Sequence, residues 1–152
     1  MQVIHCTLEQ LDAIAGLFNE YRIFYEKDND LAASRAFIQA NLQEKRSEIF
    51  LLLDDNRQPA GFSQLYPATC SLSMRPYYYL SDLYMAKTCR QKGYARYLMN
   101  HITDHFSKAG AQRLTLDTAT SNRAAQSLYE SLGYEREEVY ITYRQLLGNS
   151  PA

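Results

Sequence analysis

Tryptophan is absent from this chain of 152 residues, cysteine occurs only three times, and the net charge is −1. Balanced charge leaves no field to recruit nucleic acid or an anionic membrane, and no basic stripe runs along any segment. Cys6, Cys70 and Cys89 are odd in number and lack metal-ligand spacing. They argue against a disulfide framework or a zinc site, and no metal is expected. No apolar run approaches membrane-spanning length and no stretch reads as a signal peptide, so a cytoplasmic protein is expected. The glycine-rich signatures of P-loop and dinucleotide-binding proteins are missing, as are repeats and low-complexity tracts. What is abundant is tyrosine, with 13 copies, ten of them from Tyr77 onward. That excess suits half-buried strands or an amphipathic cleft.

Periodicity divides the rest. Residues 2–6 are short and β-like, and Thr7-Leu8-Glu9-Gln10 fits a capping box. Leu11, Ile14, Ala15, Phe18, Arg22 and Tyr25 follow at helical spacing. After the polar break 26–30, Asp30 can cap a second helix carrying Phe37, Ile38 and Leu42. The apolar run 49–53 predicts a strand covered on both faces, 54–58 a turn and 60–66 the returning strand. Residues 67–76, bracketed by prolines, read as an irregular loop before a strand over 77–85. Further strands are predicted at 113–118 and 139–147. The order is β-α-α-β-β-β-α-β-α-β, with residues 1–147 as one domain and 148–152 as a flexible tail.

Two motifs carry chemistry. The first is Arg90-Gln91-Lys92-Gly93-Tyr94-Ala95, followed by Leu98, Met99, Ile102, Phe106 and Ala109 on one helical face, with Gly110 as the C′ residue. A helix start presents unpaired N–H groups at the positive end of the macrodipole, so this turn can seat a phosphate. Taken alone, the hexapeptide fits a ligand-free glycine turn equally well. The second motif is Asn122-Arg123-Ala124-Ala125-Gln126-Ser127-Leu128-Tyr129-Glu130-Ser131-Leu132-Gly133-Tyr134. Ser121 or Asn122 can cap its helix, Asn122 and Tyr129 share a face two turns apart, and Leu128 and Leu132 face a core. An ordinary amphipathic helix with an exposed tyrosine fits those residues too.

In order, the strand ending Asp82-Leu83-Tyr84-Met85, the Arg-x-x-Gly-x-Ala turn and the Asn-to-Tyr helix resemble the GNAT superfamily of acetyl-CoA-dependent N-acyltransferases. Ala95 stands where glycine is commoner and Met85 where valine is. The resemblance implies a mixed, mostly antiparallel sheet flanked by helices. It implies acetyl-CoA as co-substrate, its pyrophosphate held by residues 90–95 (Arg90, Gln91, Lys92, Gly93, Tyr94, Ala95). The pantetheine would lie along Leu83, Tyr84 and Met85 where that strand splays from the strand matching 114–118, with Asn122 also in contact.

Tyr129 matches the tyrosine near the thioester sulfur, the candidate acid for the leaving thiolate. Asp82 is the first choice of base for an amine whose pKa lies near ~10.4; a salt-bridged or capping carboxylate is the alternative. A main-chain N–H near Leu83 or Tyr84 would polarise the carbonyl. The acceptor pocket is expected among Tyr21, Tyr25, Tyr66 and Tyr78, with acids at 26–30 favouring a cationic amine, small molecule or protein. A silent acyl-CoA-binding module on the same fold is the rival reading. Homodimerisation through residues 139–143 is compatible with the pattern.

Overall fold

Beginning at its first strand, the chain builds a sheet whose strands lie side by side in sequence order, β1-β2-β3-β4-β5. The computed structural model describes residues 1–148. The predicted tail, 149–152 with Gly148 before it, lies outside the described residues apart from Gly148 itself. The strands are β1 (Gln2–His5), β2 (Glu48–Leu53), β3 (Pro59–Cys70), β4 (Arg75–Met85) and β5 (Leu114–Leu116). The helices are α1 (Leu11–Phe24), α2 (Leu31–Gln43), α3 (Tyr94–Lys108) and α4 (Arg123–Ser131). The first three strand pairings are antiparallel and β4–β5 is parallel. Two compact units divide the chain, Met1–Asp117 and Thr118–Ala152.

In the first unit, β2 shows why a continuous apolar run becomes a central strand. Ile49, Leu51 and Leu53 join Leu11, Ile14, Phe18 and Ile38 in one core, while Phe50 meets Phe106 of α3 with ring centroids 5.8 Å apart. Side chains alternate faces along a strand, so α1 and α2 cover one face and α3 the other. The capping box at Thr7 and Gln10 is formed, and the Asp30 carboxylate accepts the Ala33 N–H at 3.0 Å.

Two expectations are corrected. Residues 67–76 are not an irregular loop: β3 runs on to Cys70 and β4 starts at Arg75. The prolines are tolerated because of where their missing N–H groups point. Tyr78 donates its N–H to Arg113 and the Pro76 carbonyl accepts from Gln112. Both groups therefore point away from β3, so the Pro67–Tyr78 and Thr69–Pro76 pairs need no proline donor.

Residues 139–147 form no strand. Val139, Tyr140, Ile141 and Tyr143 are 75–86% exposed. Alternation alone does not make a strand; a ladder partner is needed. Here Glu137 accepts the N–H groups of Val139 and Tyr140 at 2.6 and 3.1 Å, a local turn that competes with pairing.

In the second unit the Asn122 side chain caps α4, accepting the Ala125 N–H at 3.1 Å. Leu128 and Leu132 are half-buried, and α4 has no fully buried residue.

Candidate active site

The site begins where β4 loses its parallel neighbour. β5 pairs only with Tyr78, Tyr79 and Leu80, so beyond Leu80 the outer edge of β4 has no strand beside it among the described residues. Which groups lie on that edge follows from two bonds. Ala86 donates its N–H inward to Ala60, so the Met85 carbonyl points outward. By the period of two, the N–H and C=O of Leu83 share that outward edge. The Met85 carbonyl accepts from Arg90 Nε, whereas the Leu83 groups have no strand partner among the described residues and are open to an extended ligand.

A bulge sits just upstream. Gln64 pairs with Asp82 but Leu65 pairs with Leu80, leaving Ser81 as the extra residue. Before it, Tyr78 packs on Phe106 of α3 at 4.1 Å. After it, Tyr84 approaches Tyr21 and Phe62 on the α1 face. The bulge therefore switches which face the even-numbered residues occupy, and it turns Asp82 toward α1.

There Asp82, 6% exposed, lies on the wall of a cavity of about 320 Å³. Phe18, Tyr21, Arg22, Tyr25, Lys27, Phe37, Gln64, Tyr66 and Ser81 complete that wall. Burial pushes the Asp82 pKa up, partly offset by hydrogen bonds from Gln64, Ser81 and Tyr21. Gln64 Nε2 donates to Asp82 Oδ2 at 2.5 Å and Ser81 Oγ to Oδ1 at 3.0 Å. Gln64 is itself fixed, its Oε1 accepting from Asn41 Nδ2 at 2.8 Å and Ser47 Oγ at 2.7 Å. Asn41 also donates to the Tyr66 hydroxyl at 3.2 Å. The Tyr21 phenol is pushed up too, by burial first and then by the Asp82 charge.

Of the acceptor-side residues read from sequence, Tyr21, Tyr25 and Tyr66 line this cavity; Tyr78 lies on the opposite face. Glu26 and Asp28 are exposed and off its wall, whereas Arg22 and Lys27 are on it. Gln64, Asn41 and Ser47 were not singled out from sequence. Their one local signal was Gln64, a long polar side chain between apolar residues of a strand, fully buried here.

The predicted turn precedes α3, with Gly93 left-handed at φ 76° and Gln91 at φ 59°. The N-cap of α3 is Gly93, which has no side chain to offer, whereas Asp30 and Asn122 cap α2 and α4; the positive end of the helix lies at this turn. Lys92 is exposed beside it. Arg90 is engaged elsewhere: its Nε donates to the Met85 carbonyl at 3.2 Å and its guanidinium stacks over Phe24 and Tyr84 at 5.1 and 5.5 Å. Tyr94 and Ala95, the first residues of α3, are half-buried. In the second unit, Tyr129 is half-buried, its ring 5.9 Å from that of Tyr134.

A family model for the acetyltransferase (GNAT) family matches residues 12–134. The chain belongs to that family. It is 41% identical to an uncharacterized N-acetyltransferase, YhfO, of Bacillus subtilis (strain 168), over 86% of this chain and 87% of that one. A solved structure described as a probable acetyltransferase superposes with a TM-score of 0.93 at 34% identity, covering 99% of this chain and all of that one. A shorter match, 37% identical over 36% of each chain, is to the ribosomal protein bS18-alanine N-acetyltransferase of Escherichia coli (strain K12).

Proposed function

We propose that the protein transfers an acetyl group from acetyl-CoA to a primary amine of a small molecule or protein by direct attack on the thioester. The observation that carries this reading is Asp82, a buried carboxylate with a raised pKa, set on an aromatic cavity beside the unpaired edge of β4. A neutral amine is scarce at neutral pH. A carboxylate whose pKa is lifted toward the working pH is a better proton acceptor than an ordinary surface aspartate. The Leu83 N–H, on the open edge, is the donor we assign to the developing oxyanion.

The start of α3, with Lys92 beside it and Gly93 at the N-cap, where no capping side chain stands in a ligand's way, suits the pyrophosphate of acetyl-CoA. The outward Leu83 carbonyl suits an amide N–H of the pantetheine arm. When bound, acetyl-CoA supplies the activated acyl group. Arg90 shapes the strand end, acting from its place over Phe24 and Tyr84. Tyr129 is assigned the acid that protonates the leaving thiolate, on the strength of the motif it matches.

The cavity wall also refines the acceptor. Asp82 favours the amine, while Arg22 and Lys27 favour an anionic group elsewhere on the same molecule. An amine that also bears a carboxylate or phosphate, an amino acid or a peptide end among them, fits better than a polyamine. Three free cysteines agree with a reducing compartment, the cytoplasm. Free-thiol release from acetyl-CoA, measured over an amine panel, tests the reading. Amine-dependent release with a preference for anion-bearing acceptors supports it; release indifferent to amines contradicts it.

A further inference from the structure

The chain's three histidines gather on the face of the sheet away from that cavity. His5 ends β1, Glu48 begins β2, and His101 and His105 lie one turn apart on α3. We propose that His5, Glu48 and His105 form a binding site for a divalent transition ion such as Zn²⁺, independent of acetyl transfer.

One ligand atom from each of the three residues lies within 4.8 Å of the others. His5 Nε2 stands 3.7 Å from Glu48 Oε1, and the His5 and His105 rings meet edge to face at 4.9 Å. Around a tetrahedral ion with bonds of about 2.0–2.1 Å, ligand atoms stand roughly 3.3–3.4 Å apart. Small side-chain rotations close that difference. The backbones are already held, β1 and β2 by their ladder and α3 by Phe50, whose ring touches both His5 and His105.

A second observation points to a cation ligand. Glu48 Oε2 is buried and has no hydrogen-bond partner among the described residues, an arrangement that costs free energy unless a cation or proton sits against it. His5 is exposed, and Glu48 and His105 are half-buried, so an ion can enter. The other titratable groups facing the cluster are His101 and Tyr78. His101, at i−4 from His105, shares its helix stripe, but the ligand atoms within 4.8 Å of one another are those of His5, Glu48 and His105 alone among the described residues.

Two imidazoles and one carboxylate favour Zn²⁺, Ni²⁺ or Cu²⁺ over Mg²⁺ or Ca²⁺. Binding would clamp β1 and β2 to the C-terminal half of α3 and raise thermal stability by mass action. Sequence reading expected no metal because the ligands come from three separate elements, with no short spacing between them.

The test is calorimetric titration of tag-free, chelator-treated full chain with ZnCl₂ at pH 7.5, paired with thermal melting. One equivalent should bind, and saturation should raise Tm by about 2–8 °C. His5→Gln, Glu48→Gln and His105→Gln should each weaken binding at least about tenfold and remove the shift. Each should melt normally without zinc, and three independent variants keep the test decisive if one misfolds. Cys70→Ser should change nothing, MgCl₂ should give no shift, and acetyl transfer should persist without metal. Failure of zinc to bind overturns the proposal, as does binding that survives all three variants or is lost in Cys70→Ser.

Discussion

Gln64 holds Asp82: its side-chain amide donates to the carboxylate at 2.5 Å, and Asn41 and Ser47 hold Gln64 from behind. Gln64 of β3 and Ser81 of β4 thus bond the carboxylate directly, while Asn41 of α2 and Ser47 of the segment after it fix Gln64. A carboxylate fixed in this way, with its pKa raised by burial, presents one proton-accepting geometry to the cavity.

Asp82→Asn preserves shape and removes the base. Turnover should fall by about 10²–10⁴-fold. Wild-type kcat/KM should rise with pH through a limb above the ordinary carboxylate range, because the base must be ionised and its pKa is raised; the variant should lack that limb. Stability carries the opposite sign. A folded-state pKa above the unfolded one means the native state binds the proton more tightly. Asp82 therefore favours folding most at low pH, and its contribution falls as pH rises through the folded-state pKa. Melting temperatures across pH should show a shallower decline for the variant.

Gln64→Leu leaves the Asn41 and Ser47 donors without their acceptor and Asp82 without its strongest partner. A loss of about 1–3 kcal/mol of stability is expected. Since the Gln64 hydrogen bond lowers the Asp82 pKa, its removal should move the acid limb of kcat/KM upward. A purely structural role for Gln64 would lower Tm and leave that limb in place, so the pH profile decides between the two.

The pairing of Gly61 with Met85 explains a glycine that no turn requires. A Cβ at Gly61 would stand 2.6 Å from Met85 Sδ and 2.6 Å from the Tyr84 carbonyl. Gly61→Ala should therefore destabilise by about 1–3 kcal/mol. By displacing the strand end next to the open edge, it should raise KM for acetyl-CoA more than it lowers kcat. Steady-state kinetics at matched temperature below both melting points would check this.

Tyr129→Phe should lower turnover while leaving acetyl-CoA affinity almost intact, because a phenol acting only on the leaving sulfur contributes in the transition state. Isothermal titration with CoA beside single-turnover kinetics would separate the effects. Unchanged turnover would remove Tyr129 from the acid role.

Much of the fold was legible because its signals are local. The capping box, the apolar run of β2 and the turn-to-helix at Gly93 each declare themselves within about ten residues. Non-local features did not. The bulge at Ser81 has no composition of its own, yet it puts Tyr78 on the face opposite Asp82 and Tyr84, away from the cavity that the family resemblance assigned it to. The hydrogen bonds that fix Asp82 join residues 18 and 23 positions apart. Prolines 67 and 76 read as loop because only the pairing shows that their missing donors fall on non-bonded positions. Residues 139–147 carry a strand's alternation, yet Glu137 takes the Val139 and Tyr140 N–H groups and no strand pairs with them among the described residues.

The most direct test of the account is free-thiol release from acetyl-CoA by wild type and Asp82→Asn, with and without an amine bearing an anionic group, alongside CoA binding by both. Amine-dependent release by wild type should fall at least about a hundredfold in the variant while CoA still binds. Equal release by the two proteins, or tight CoA binding with no amine-dependent release from wild type, would contradict the assignment of Asp82 and of acetyl transfer respectively.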